Sequence, residues 1–181
     1  NRESAWYRYT YNLKSSLFEK DGVYRIITTS KDTAGNINEN IFEEKKAGIN
    51  FVIDKTAPTI AVHNLKSNAI YNETIKKVEL SIEDNLMLDK IEVLLNDKAI
   101  NVEKIDDSNL IISIPEDNSV QNLKIIASDK TGNKSIKEIN DFTISSNFFV
   151  RWYLNKPLFF GSLAIFILLI SMMIFVYLRK K

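Results

Sequence analysis

The chain has 181 residues, 24 Lys and Arg against 23 Asp and Glu, one histidine and no cysteine, for a net charge of +1. With no basic excess to neutralise phosphates, charge argues against a nucleic-acid partner. The lack of cysteine excludes disulfides, thiolate catalysis and cysteine-ligated zinc together, so any domain here is held by its apolar core, which about 90 residues can supply.

The first predicted element is an aromatic strand, Trp6-Tyr7-Arg8-Tyr9-Thr10-Tyr11. Its rings either fill a core or form a platform for a protein or glycan ligand, since aromatics are enriched at interfaces. A strand follows at Tyr24 to Thr29, then Asp32-Thr33-Ala34-Gly35-Asn36, then a short strand at Phe51-Val52-Ile53. In the Asp-x-x-Gly-Asn element the aspartate accepts from backbone N–H groups ahead of it. The glycine takes a left-handed conformation that other residues avoid. Together they close a hairpin.

Asp54-Lys55-Thr56-Ala57-Pro58-Thr59-Ile60 reads as a stiff connector, because proline restrains its own φ and pushes the preceding residue to an extended shape. Beyond it, Val78, Leu80 and Ile82 alternate with Lys77, Glu79, Ser81 and Glu83, and Leu110, Ile112 and Ile114 share a face. Period-two alternation with β-branched residues predicts half-buried strands. Asn96-Asp97 separates Ile91–Leu95 from Ala99–Val102 and predicts a hairpin without the usual glycine. Leu123 to Ser128 is a strand again, and Asp129-Lys130-Thr131-Gly132-Asn133 repeats the earlier turn before a short strand at Phe142-Thr143-Ile144. The first copy is longer between turn and strand, around Phe42 to Gly48. Self-similarity over a domain-sized period predicts tandem domains, and many short strands predict an all-β sandwich in each.

From Pro157 to Leu178 no residue is charged. About 20 apolar residues match a hydrocarbon core of about 30 Å at 1.5 Å rise per residue, and in lipid such a run must be helical. Trp152, Tyr153 and Tyr177 flank it as interfacial aromatics, and Arg179, Lys180 and Lys181 follow it. The expected organisation is 1–56 as the C-terminal part of one sandwich, 57–146 as a complete one, 147–157 as a juxtamembrane segment, 158–178 as the membrane helix and 179–181 as a cytoplasmic tail. The expected topology is single-pass in the cell membrane, with the N-terminal region extracellular. Gly161 and Ala164 lack the spacing of a close helix pair, and no charge lies within the run, so a plain anchor is expected. The chain opens at Asn1 without an initiator methionine or a signal-peptide pattern, which together with the anchor predicts the C-terminal fragment of a longer precursor.

Gly22-Val23-Tyr24, the Asp-x-x-Gly-Asn turn and Ile53-Asp54-Lys55-Thr56-Ala57-Pro58-Thr59-Ile60 together resemble the tandem bacterial immunoglobulin-like domains of Gram-positive cell-surface proteins. The resemblance covers about residues 5 to 145. It implies immunoglobulin-like β-sandwich domains in tandem, ending in one transmembrane α-helix. The second copy keeps the turn but lacks a following Asp-Lys-Thr-Ala-Pro linker, as expected of the last module in a row. A sorting signal also ends in an apolar helix and basic tail, but the Leu-Pro-x-Thr-Gly motif is missing before Leu158, so the helix is expected to stay attached.

No catalytic, cofactor or metal residues are assigned. His63, with no cysteine or second histidine, is expected to be a solvated strand residue. Asp84, Asp89, Asp106, Asp107, Glu116 and Asp117 include possible acid–base pairs, but they sit between strands with no apolar cleft. Calcium is the nearer rival: Asp54 meeting Asp84 or Asp129 at a domain junction would offer the oxygens it prefers, though an EF-hand pattern is absent. The expected function is a noncatalytic stalk and membrane anchor presenting an upstream adhesive or binding region. The alternative is the stalk of a surface enzyme, such as a glycan- or wall-acting hydrolase, whose catalytic domain lies upstream. The expected partners are the lipid bilayer and a possible extracellular protein or glycan ligand.

Overall fold

The computed structural model describes residues 10–39 and 48–180. Its contacts divide the chain into two units, 1–56 with 131–133, and 57–130 with 134–181. Most of the predicted N-terminal aromatic strand and most of the 42–48 insertion lie outside the described residues. Tyr11 is described; it is exposed and not in a strand.

The first unit holds β1 (Gly22–Ile26), β2 (Thr29–Lys31), β3 (Ile37–Glu39) and β4 (Ile49–Ile53). β1 pairs antiparallel with β4, and β2 with β3. The β2–β3 turn is built by Asp32. Its Oδ1 accepts from Ala34 N at 2.9 Å and Asn36 N at 2.8 Å, its Oδ2 accepts from Asn36 Nδ2 at 2.7 Å, and Gly35 has φ +92°. Phe18, Tyr24 and Phe51 pack with ring centroids 5.2–5.7 Å apart. The connector's own residues fasten onto this unit: Lys55 N and Thr56 Oγ1 donate to the Asp21 carboxylate at 3.0 and 2.6 Å, and Lys55 Nζ donates to Phe18 O at 2.9 Å. That gives Lys55 and Thr56 of the linker motif a local structural job.

The second unit contains β5 (Thr59–Val62), β6 (Ile70–Tyr71), β7 (Ile75–Glu83), β8 (Leu88–Leu95), β9 (Lys98–Ala99), β10 (Val102–Lys104), β11 (Asn109–Pro115), β12 (Asp117–Asp129) and β13 (Lys134–Ile144). They form a four-stranded sheet, β10-β11-β7-β5, and a five-stranded sheet, β6-β13-β12-β8-β9. All pairings are antiparallel except β6 with β13. The alternating residues of β7 and β11 (Val78, Leu80, Ile82; Leu110, Ile112, Ile114) are buried in one cluster with Val93, Leu123, Ile125, Ala127, Ile139, Phe142 and Ile144 of the other sheet. Fully burying each such side chain is worth about 1.5–3 kcal/mol. The edge strands β5, β6, β9 and β10 are two to four residues long, which limits the unpaired backbone offered to another chain.

Asn96 and Asp97 turn β8 into β9 with φ of 48° and 63°, the double left-handed geometry of a type I′ turn. On β13 the inward phase changes: Gln121 faces Phe142 while Leu123 faces Ile139, so β13 carries one extra residue. This bulge centres on Asp141, with φ 60° and its N–H donated to Asn122 Oδ1 at 3.0 Å. It places both Ile139 and Phe142 in the core although they are three apart.

Two helices follow, α1 (Phe148–Leu154) and α2 (Lys156–Arg179). α2 is the single described helix long and apolar enough to cross a membrane. It begins two residues before the expected Leu158 and ends one after Leu178, because Asn155 caps it and Pro157 fits its first turn. α1 lies within the expected juxtamembrane segment 147–157, for which the sequence reading assigned no secondary structure.

Candidate functional site

Of the carboxylates weighed as acid–base pairs, Asp84 and Asp106 bond the backbone of turns. Asp84 Oδ2 accepts from Leu86 N and Met87 N at 3.0 and 2.8 Å, closing β7 into β8. Asp106 Oδ1 accepts from Ser108 N and Asn109 N at 2.9 and 2.8 Å. Asp117 Oδ1 accepts from Ser119 N at 3.2 Å, Asp107 pairs with Lys104 Nζ at 2.9 Å in solvent, and Asp89 is exposed. The Asn109 amide, then the Ser108 and Asn109 N–H groups, hold Asp106 below the ordinary carboxylate range, and the Asn36 side chain and N–H do the same for Asp32.

His63, just past β5, is exposed and lies 2.8 Å by Nε2 from Ser81 Oγ. The Ser81 hydroxyl donates to Asn109 Oδ1 at 2.9 Å, and Asn109 Nδ2 donates to Asp106 at 2.9 Å. Histidine, serine and aspartate are thus joined, but in the wrong roles for nucleophilic catalysis. The serine proton is committed to Asn109, so the imidazole donates to Ser81 and does not serve as its base, and Asp106 does not reach the imidazole.

Of the residues named for calcium, Asp84 and Asp129 come together, with one carboxylate oxygen of each within 4.8 Å of the other. Asp129 is buried, and Asp84 Oδ1 is a buried oxygen without a hydrogen-bond partner. Oxygens from elsewhere would have to complete a calcium shell of about six to eight. Asp54 belongs to the first unit, where its Oδ1 accepts from Thr56 N at 3.1 Å.

The most developed polar assembly is where β13 leaves the second unit. Ser145 N donates to Tyr71 O at 3.0 Å and its Oγ to Asn118 Oδ1 at 2.7 Å. Ser146 donates N–H and hydroxyl to Glu116 Oε2 at 2.8 and 2.6 Å, and the hydroxyl first, then the N–H, hold this carboxylate below its ordinary range. Asn147 caps α1 by accepting from Phe149 N at 2.9 Å and Val150 N at 3.4 Å. Arg151 then reaches back, donating to Asn72 Oδ1 and, at 2.9 Å, to Ser145 O. A chain bonded at each of Ser145, Ser146, Asn147 and Arg151 leaves the β unit through a fastened joint.

Asn155 ends α1 and starts α2: its N–H donates to Arg151 O at 3.0 Å and its Oδ1 accepts from Leu158 N at 3.3 Å. Across this break Trp152 Nε1 donates to Ser162 Oγ at 2.9 Å, and Trp152 and Tyr153 pack on Phe159 at 4.9 and 5.3 Å. Lys156 Nζ lies 4.1 Å from the Tyr153 ring centre. No residue of α2 is buried. Sequence reasoning singled out Trp152 and Tyr153 here but missed α1. The signal was present in Asn147 as a cap ahead of Phe148-Phe149-Val150.

No family model and no curated protein matches the chain. Among solved structures, the fibronectin(III)-like modules of Clostridium thermocellum CbhA are similar to it, with 15% identity over 69% of this chain and a TM-score of 0.41. The match covers 63% of that chain.

Proposed function

We propose that this chain is a noncatalytic stalk and membrane anchor of a cell-surface protein. Its immunoglobulin-like β-sandwich modules hold the N-terminal part of the protein off the bilayer, and α2 spans it with the C-terminus on the cytoplasmic side. The observation that carries the reading is an apolar helix with no buried residue, joined through a fastened joint to a β unit. In water such a helix leaves most of its hydrophobic surface solvated, whereas in a bilayer that surface is matched by lipid. Asp84 and Asp106 of the β unit bond turn backbone, which fits a structural module. Any adhesive protein or glycan ligand is met by the N-terminal part, and the partner of residues 147–181 is lipid.

The test is alkaline carbonate extraction of membranes from cells expressing the full chain and a variant ending at Asn155. The full chain stays in the membrane pellet and the shortened one is released. Release of the full chain would overturn the anchor.

A further inference from the structure

The break at Asn155 fixes where α1 lies relative to α2. Trp152 and Ser162 are ten residues apart; along one continuous helix that separation is about 15 Å. Their side chains are hydrogen-bonded at 2.9 Å, and Trp152 also packs on Phe159. The chain therefore bends at Asn155, and the Trp152 side chain reaches over the first two turns of α2. Ser162 is the seventh residue of α2, about 9 Å along its axis at 1.5 Å per residue. The Trp152 indole reaches that position.

On α1, Phe149, Trp152 and Tyr153 share one face, and Phe148 adjoins it. Phe148, Phe149 and Tyr153 are 62, 72 and 54% exposed. Arg151 is directed away from this face, to Asn72 and Ser145 of the β unit. An exposed aromatic face on one side, with the other side bonded to a folded unit, has the layout of a helix lying in a membrane interface. Continuity with the uniformly apolar α2, and the Trp152 contacts to Phe159 and Ser162 in its first two turns, identify lipid as the occupant.

Building on the reading of α2 as membrane-spanning, we propose that α1 is an interfacial footing. Phe148, Phe149 and Tyr153 enter the headgroup–acyl boundary at the N-terminal end of α2, and Arg151 ties the second β unit to that footing. The membrane-proximal module is then held at a set height and tilt, and it does not swing on a loose tether.

The absence of cysteine makes the test direct. Full chains carrying Lys137→Cys, Phe149→Cys or Ile165→Cys are spin-labelled and reconstituted in phosphatidylcholine–phosphatidylglycerol vesicles, and collision with oxygen is compared with collision with a water-soluble nickel complex. The label at 149 favours oxygen over nickel, that at 165 does so more strongly, and that at 137 favours nickel. A nickel-favouring label at 149 together with an oxygen-favouring one at 165 overturns the footing and leaves the anchor standing. A nickel-favouring label at 165 overturns the anchor itself. Because Phe149→Cys removes one of the proposed contacts, Trp152 fluorescence is measured in a Trp6→Phe chain with all three rings present. Lipids brominated near the headgroup quench it more than lipids brominated deep in the chains. Absence of quenching by either lipid overturns the footing.

Discussion

Replacing Gln121 by methionine should make the second β unit more stable. Gln121 is 2% exposed and points into the core between Leu123 and the β12–β13 bulge, and its Oε1 is buried without a hydrogen-bond partner. An orphaned buried carbonyl costs about 1–3 kcal/mol relative to its hydrated state. Methionine has a similar length and flexibility, so the entropy of ordering it is comparable, and imperfect fit costs less than about 1.5 kcal/mol. The expected net gain is about 1 kcal/mol, or about fivefold in the opening equilibrium. Native-state hydrogen exchange of the Leu123 to Ala127 amides, in the full chain in detergent, reads this change in the element concerned. Slower exchange by that factor is the expected result. Faster exchange would mean that the Gln121 amide is bonded in the native unit, and the reasoning would fail.

Gly48→Ala should loosen the β1–β4 pair, because a Cβ there would stand 2.3 Å from Ile26 O at a φ of +93°; the φ strain alone costs about 1–3 kcal/mol. Faster exchange at Val23 to Ile26, with Leu123 to Ala127 unchanged, is the outcome to look for. Asp97→Gly should stabilise the β8–β9 turn by about 0.5 kcal/mol, since relief of left-handed strain exceeds the added freedom of the unfolded chain; a lower urea midpoint would count against the type I′ assignment. The joint should also be acid-sensitive. Glu116 is held below its ordinary value in the folded state, so its contribution is fully present above the unfolded carboxylate value of about 4.3 and is lost as pH falls through the lower folded one. Asp32 and Asp106 act with the same sign. In thermal melts across this range Glu116→Gln should show a shallower acid loss than the parent chain, and an identical slope would remove Glu116 from the account.

What was legible in the sequence is what local chemistry dictates. Val78, Leu80 and Ile82 announced their buried face because strand period and burial coincide, and the Asp32–Asn36 turn was readable because its hydrogen bonds are made within five residues. Asn96-Asp97 was found despite lacking glycine, since its flanking strands defined the gap. The β13 bulge was hidden. Nothing in Ile139, Asp141 and Phe142 reveals an extra residue until Asn122 on the neighbouring strand accepts the Asp141 N–H. The joint was hidden for the same reason, because Glu116, Asn118 and Asn72 reach Ser145, Ser146 and Arg151 from 27 to 79 residues away. The sequence placed the carboxylates between strands but not what they bond, and it is their backbone N–H partners that give Asp84, Asp106 and Glu116 their structural role.

The central claim, that α2 spans the bilayer with the β units outside, is tested most directly by labelling intact cells with a membrane-impermeant maleimide. Lys137→Cys lies on an exposed position of β13 and Lys180→Cys lies just past α2. The account predicts that the Lys137→Cys chain is labelled on intact cells and the Lys180→Cys chain only after permeabilisation. Labelling of the Lys180→Cys chain on intact cells, with the Lys137→Cys chain protected, would contradict it.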